Sequence, residues 1–174
     1  MRTLRTKTWL LLAACVLSVS IACANGAGTV KVPGKFQSPS GQCVAVMSPS
    51  KLGGFLQLSI KPQASPARFV ADDITGFAWF GTEAFIFSTS PIYGSPGVFL
   101  ASCGGTLRIK TLVAPKTIDA AYPKGADYFE LRAIRGNRIE FYYGADVDKI
   151  DFNEFRTNKY LRSVKVSLTE ATFK

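Results

Sequence analysis

The sequence predicts an all-β fold: an antiparallel single domain, a β-sandwich or a small propeller-like arrangement of short strands, following a cleaved signal peptide. Three observations predict it. Short runs rich in β-branched and aromatic residues recur along the chain, Gly and Pro punctuators separate them, and no window after residue 25 sustains a 3.6-residue apolar period.

In chain order the predicted strands are 42–48, 55–61, 76–80, 84–88, 97–102, 107–113, 128–134, 138–143 and 163–168. Alternation is clearest in the last, where Val164, Val166 and Leu168 interleave with Lys165 and Ser167, as in a half-buried strand. Turn signals between the runs include Ser38-Pro39-Ser40-Gly41, Leu52-Gly53-Gly54, Gly94-Ser95-Pro96-Gly97, Gly104-Gly105, Pro123-Lys124-Gly125 and Arg135-Gly136-Asn137. Asp72-Asp73, ahead of Ile74-Thr75-Gly76, reads as a further turn. At most one helical turn is expected, near 116–121.

Residues 1–24 have the layout of a secretory signal peptide. Arg2, Arg5 and Lys7 precede an apolar run over 9–22 broken only by Ser18 and Ser20, and Ala22-Cys23-Ala24 supplies a small-x-small cleavage site. The run falls short of the roughly 20 apolar residues that span a bilayer. No second stretch of that length follows, so no transmembrane helix is expected, and 25–174 form a single β-rich domain. Cutting after Ala24 removes Cys15 and Cys23 and leaves the even pair Cys43 and Cys103, which suits an oxidising compartment. The expected location is periplasmic or secreted. Lipidated forms compete with this cut, at Leu12-Ala13-Ala14-Cys15, behind a short apolar run, or at Ser20-Ile21-Ala22-Cys23. A bridge between Cys43 and Cys103 closes a loop of about 60 residues, for which the chain-entropy model gives roughly 4 kcal/mol.

The formal charge of +9 falls to +6 once the signal cations are gone. Within 25–118 stand Lys31, Lys35, Lys51, Lys61, Arg68, Arg108, Lys110 and Lys116 against Asp72, Asp73 and Glu83 only. Such a balance suits an acidic protein, an anionic lipid or glycan, or plain solubility. The cations are scattered singly, without the clustered stripe that a phosphate backbone favours, so nucleic acid is not the expected partner.

A Gly-turn-strand unit recurs. Ser38-Pro39-Ser40-Gly41 leads into Cys43-Val44-Ala45-Val46, Gly81 into Ala84-Phe85-Ile86-Phe87, and Gly136 into Arg138-Ile139-Glu140-Phe141, at glycine spacings of 40 and 55. Locally this resembles the WD40-like propeller repeat of periplasmic proteins, in which Ser-Pro-Asp-Gly precedes a strand; here Ser40 takes the place of the Asp. The resemblance covers about thirty residues and implies four-stranded blades. The other reading of the same unit is a recurrent hairpin within a sandwich.

The chain contains no His, which removes the commonest general base and the usual Ser and Cys triads. Ser48-Pro49-Ser50-Lys51 has Ser-x-x-Lys spacing but lies in a turn-rich segment without the helix start and partner motifs that a transpeptidase-type site needs. The acidic segment 146–154 (Asp146, Asp148, Asp151, Glu154) fails as a calcium loop: Ile150 takes the fifth position, Asp151 the sixth and Thr157 the twelfth. It reads as a solvated turn balanced by Lys149 and Arg156. No catalytic residue, metal ligand or cofactor site is expected.

Trp79-Phe80 and Tyr142-Tyr143 place large rings at adjacent strand positions, which face opposite sides of a sheet. One ring of each pair is therefore expected to point outward, and Trp79, Phe80, Tyr93, Tyr142 and Tyr143 form the candidate binding surface. Exported, disulfide-stapled β-domains of this size are similar, as a class, to lysozyme inhibitors and to immunity proteins that neutralise envelope-directed toxins. The expected function is a non-catalytic binding protein that occludes such an enzyme or toxin. An envelope glycan- or lipopolysaccharide-binding module is the alternative, and a carboxylate-based hydrolase ranks third.

Overall fold

The computed structural model describes residues 29–51, 56–90, 95–114, 128–144, 151–157 and 159–166. The predicted signal peptide with Cys15 and Cys23, Tyr93, the segment 116–121, and 145–150 of the acidic segment lie outside them.

Among the described residues ten antiparallel strands form two sheets. The larger is a seven-stranded meander of β1 (Gly34–Gln37), β2 (Cys43–Pro49), β3 (Leu56–Pro62), β4 (Arg68–Phe80), β5 (Ala84–Thr89), β6 (Gly97–Ser102) and β7 (Arg108–Val113), paired in sequence order. The smaller contains β8 (Tyr128–Arg135), β9 (Arg138–Gly144) and β10 (Leu161–Lys165), with β9 central. One helical turn, α1 (Phe152–Phe155), lies between β9 and β10. The three recurrent glycines sit in the β1–β2, β4–β5 and β8–β9 connections with φ of 75, 71 and 59° for Gly41, Gly81 and Gly136, a conformation that glycine adopts without steric cost.

The larger sheet is bent through β4. The first half of this 13-residue strand pairs with β3 and its second half with β5, and register shifts flank Ile74 on both sides. Asp73 there has φ 56°. Bulges of this kind bend a strand and increase its twist. Asp72 and Asp73 are thus part of a bulged strand, which corrects their reading as a turn: alternation fails locally because the bulge breaks it.

The bend lets β1–β3 fold over β4–β6. One apolar cluster gathers Ala45, Met47, Leu58 and Ile60 with Phe77, Trp79, Phe85, Phe87 and Ala101. Three contacts fasten this layer: the disulfide between Cys43 and Cys103, the Val30–Phe77 bridge with N···O distances of 2.8 and 3.1 Å, and Ser40 N donating to Thr82 O. On the other face of β4–β6, Ala78, Phe80, Ile86, Val98 and Leu100 meet Phe129, Leu131, Ile139, Phe141, Tyr143 and Val166 of the second sheet and its end. The strands β4–β6 form a middle layer with a core on each side.

β8 is seated on the middle layer by a polar seam. Leu131 N donates to Ser88 Oγ at 2.8 Å, and Thr75 Oγ1 contacts both Ser88 Oγ and Phe129 O. Gly76 makes room for this approach: a Cβ there would stand 2.9 Å from Leu131 Cβ and 3.1 Å from Leu131 O.

Candidate functional site

Both aromatic pairs are buried on both sides of their strands. Trp79, Phe80, Tyr142 and Tyr143 are only 9, 7, 8 and 1% exposed. The expected alternation holds, with Trp79 in the first core and Phe80 in the second. The inference that one ring must then face solvent does not hold, because each sheet face is covered. In β9, Tyr143 enters the core between the sheets while Tyr142 packs with Tyr128 and Phe155 beneath α1. These four rings are scaffold.

The described end of the acidic segment keeps Asp151 and Glu154 exposed, as a solvated turn would, but folds as a helical turn. Asp151 caps α1, accepting from Asn153 N at 2.9 Å, and Glu154 pairs with Lys159 at 3.4 Å. Arg156 reaches Glu130 instead. A side chain that had looked like a local counter-charge thus becomes a tertiary contact. Ser48 lies in β2, where its Oγ accepts from Gln57 Nε2 at 2.9 Å. Among the described residues no group of three or more His, Cys, Asp or Glu converges as metal ligands.

Among the described residues two acids are buried, Asp73 and Glu130, and Glu130, 1% exposed, is the one that gathers a network of charged partners. Strand alternation puts Tyr128, Glu130 and Arg132 on the outer face of β8, opposite Phe129 and Leu131. Arg156 Nε and Nη2 donate to the two carboxylate oxygens at 3.1 and 3.3 Å, Tyr128 Oη donates at 3.2 Å, and Lys31 Nζ makes a close ion pair from the N-terminal segment. Burial alone would raise the Glu130 pKa; the hydrogen bonds from Arg156 and Lys31 outweigh it and hold the carboxyl below its ordinary value. Burial, reinforced by the Glu130 charge, pushes the Tyr128 hydroxyl well above the usual tyrosine range. Donating to Glu130 raises the already high pKa of Arg156. Glu130, Tyr128 and Arg156 are thus each held in one protonation state at neutral pH, and with Lys31 the four groups form one network. They join three parts of the chain: the segment before β1, strand β8 and helix α1.

Alternation in Tyr128-Phe129-Glu130-Leu131 carried a signal for Glu130, since it places an acid between a tyrosine and an arginine on one strand face. Its partners lie 99 and 26 residues away and carry no such mark.

Family models, curated proteins and solved structures were compared with this chain, and none matches it.

Proposed function

We propose that this is an exported, non-catalytic binding protein of inhibitor or immunity type, which occludes an envelope-targeting enzyme or toxin. The supporting observation is where the chemically capable groups lie. Cys43 and Cys103 are joined in a disulfide, Glu130 is held by three donors, and the aromatic pairs fill cores. These groups make a pre-organised body, and a rigid body loses little conformational freedom when it docks. The cation excess favours approach to an acidic surface, with a rate that falls as salt rises.

The test uses exported, processed protein as bait for envelope and secreted fractions, followed by purification of what it retains. The proposal expects one protein, bound one-to-one, whose enzymatic or toxic activity the complex suppresses and whose association slows with salt. Recovery of glycan or lipid alone, of nothing, or of a protein that keeps full activity in the complex would overturn it.

A further inference from the structure

We propose that the outer face of β1–β4 rests on an anionic phospholipid surface, with Phe69 entering the headgroup region and Lys35 and Lys61 pairing with lipid phosphates. This goes beyond the occlusion reading and stands independently of it.

Strand register builds the face. Lys35 is opposite Val46, Val46 opposite Ser59, and Ser59 opposite Phe69, so one row crosses all four strands. The next row runs Gln37, Val44 and Lys61. Residues directly opposite one another project to the same side. That side is outward, because the alternate positions Ala45, Met47, Leu58 and Ile60 are buried in the first core. Phe69 is 58% exposed, unlike almost every other large apolar side chain of the described residues. Lys35 and Lys61 are exposed and make no ion pair or hydrogen bond among the described residues.

Charge selects the occupant. No Asp or Glu occurs before Asp72, so β1, β2, β3 and residues 68–71 at the start of β4 carry cations without an acid among them. An anionic surface can approach this layer without meeting a like charge. The centre of the face holds the short side chains Val44, Val46 and Ser59, with one ring standing above them. A lipid surface needs no shape complement to accept that relief: the ring enters the interface, and each lysine near an anionic headgroup layer adds attraction. A protein partner would need a pocket for the ring, and would show itself as a saturable one-to-one complex in place of partitioning.

The experiment is co-sedimentation of the exported, processed protein with vesicles of phosphatidylcholine alone and of phosphatidylcholine mixed equally with phosphatidylglycerol, at low and high salt. Partitioning is expected on the anionic vesicles only, and high salt should weaken it. The double variant Lys35→Glu/Lys61→Glu should lower it by about 30-fold or more, since each lysine contributes about a fivefold factor. Phe69→Ser should lower it several-fold, whereas Lys110→Glu on β7 should leave it nearly unchanged. All these positions are exposed, and equal urea midpoints would show that the fold is kept. No partitioning on anionic vesicles, equal partitioning on neutral ones (as a lipid anchor would give), or an unaffected double variant would overturn the proposal. The capture experiment contains no vesicles, so either result can fail without the other.

Discussion

Replacing Glu130 with Gln keeps the side chain's shape and its acceptor for Tyr128 while removing the charge that holds Lys31 and Arg156. Breaking a buried ion pair by deleting one partner typically costs about 3–5 kcal/mol. Here the Lys31 and Arg156 side chains are 36 and 55% exposed, so both cations recover water once the carboxylate is gone. The loss is then about 2–3 kcal/mol, in line with hydrogen bonds to a charged group. In urea unfolding, with a slope of ~1–3 kcal/mol/M, the midpoint should fall by roughly 0.7–3 M. The pH dependence follows from the direction of the shift. The folded pKa of Glu130 lies below its ordinary value of 4.5. Its contribution is therefore complete above that value and is lost as pH falls through the folded pKa. Wild type should lose stability on acidification more steeply than Glu130→Gln, and the gap between them should narrow at low pH. A midpoint change worth under ~0.5 kcal/mol, the range of ordinary surface substitutions, would refute the reasoning. So would a gap that is constant with pH.

Reduction of the disulfide, or the double replacement Cys43→Ser/Cys103→Ser, should cost about 4 kcal/mol because it frees a loop with a sequence separation of 60; calorimetry with and without reductant reads it. Gly76→Ala and Gly81→Ala should both destabilise, for different reasons. At Gly76 the new methyl meets Leu131 at 2.9 Å, so the sheets must separate, at a cost of about 1–3 kcal/mol. At Gly81 nothing lies within 4 Å but φ is 71°, so only the backbone conformation is penalised, by ~1–2 kcal/mol. Chemical denaturation measures both, and near-ultraviolet circular dichroism should register lost inter-sheet packing at Gly76 alone.

The strands were legible because their signals are local. Gly97–Ser102 is found as predicted, and β2, β3, β5, β7, β8 and β9 shift by only a residue or so at either end. Val164 packs against the core between the sheets and Val166 is part of it, as their alternation suggests. Three elements escaped: β1, the first half of β4, and α1, which lies where a turn was expected. β1 is four residues long and carries Gly34 and Gln37, and the first half of β4 is interrupted by Asp72-Asp73, so neither shows a clean period. The layer arrangement escaped as well, and that had the larger consequence for function. Phe77 to Phe80 is a continuous buried run, the pattern of a strand covered on both faces. Adjacent rings point to opposite sides in such a strand as in any other, yet neither side is solvent. Whether a second layer covers a face depends on contacts such as Gly76 with Leu131, and nothing in local composition records them. Phe69 is the counterpart: one aromatic in an ordinary strand, visible in sequence but not distinguishable there as the exposed one.

The central claim is that β4–β6 form a layer with a core on each side, so that the aromatic pairs are scaffold and recognition belongs to the outer faces. The sequence contains two tryptophans, Trp9 in the predicted signal peptide and Trp79 in that layer, so processed protein carries a single fluorescent reporter of it. The most direct measurement is acrylamide quenching of Trp79 in the folded protein and in urea. The account predicts blue-shifted emission nearly insensitive to quencher, becoming red-shifted and quenchable only on unfolding. Emission that is already red-shifted and readily quenched in the native protein would place Trp79 at the surface and contradict it.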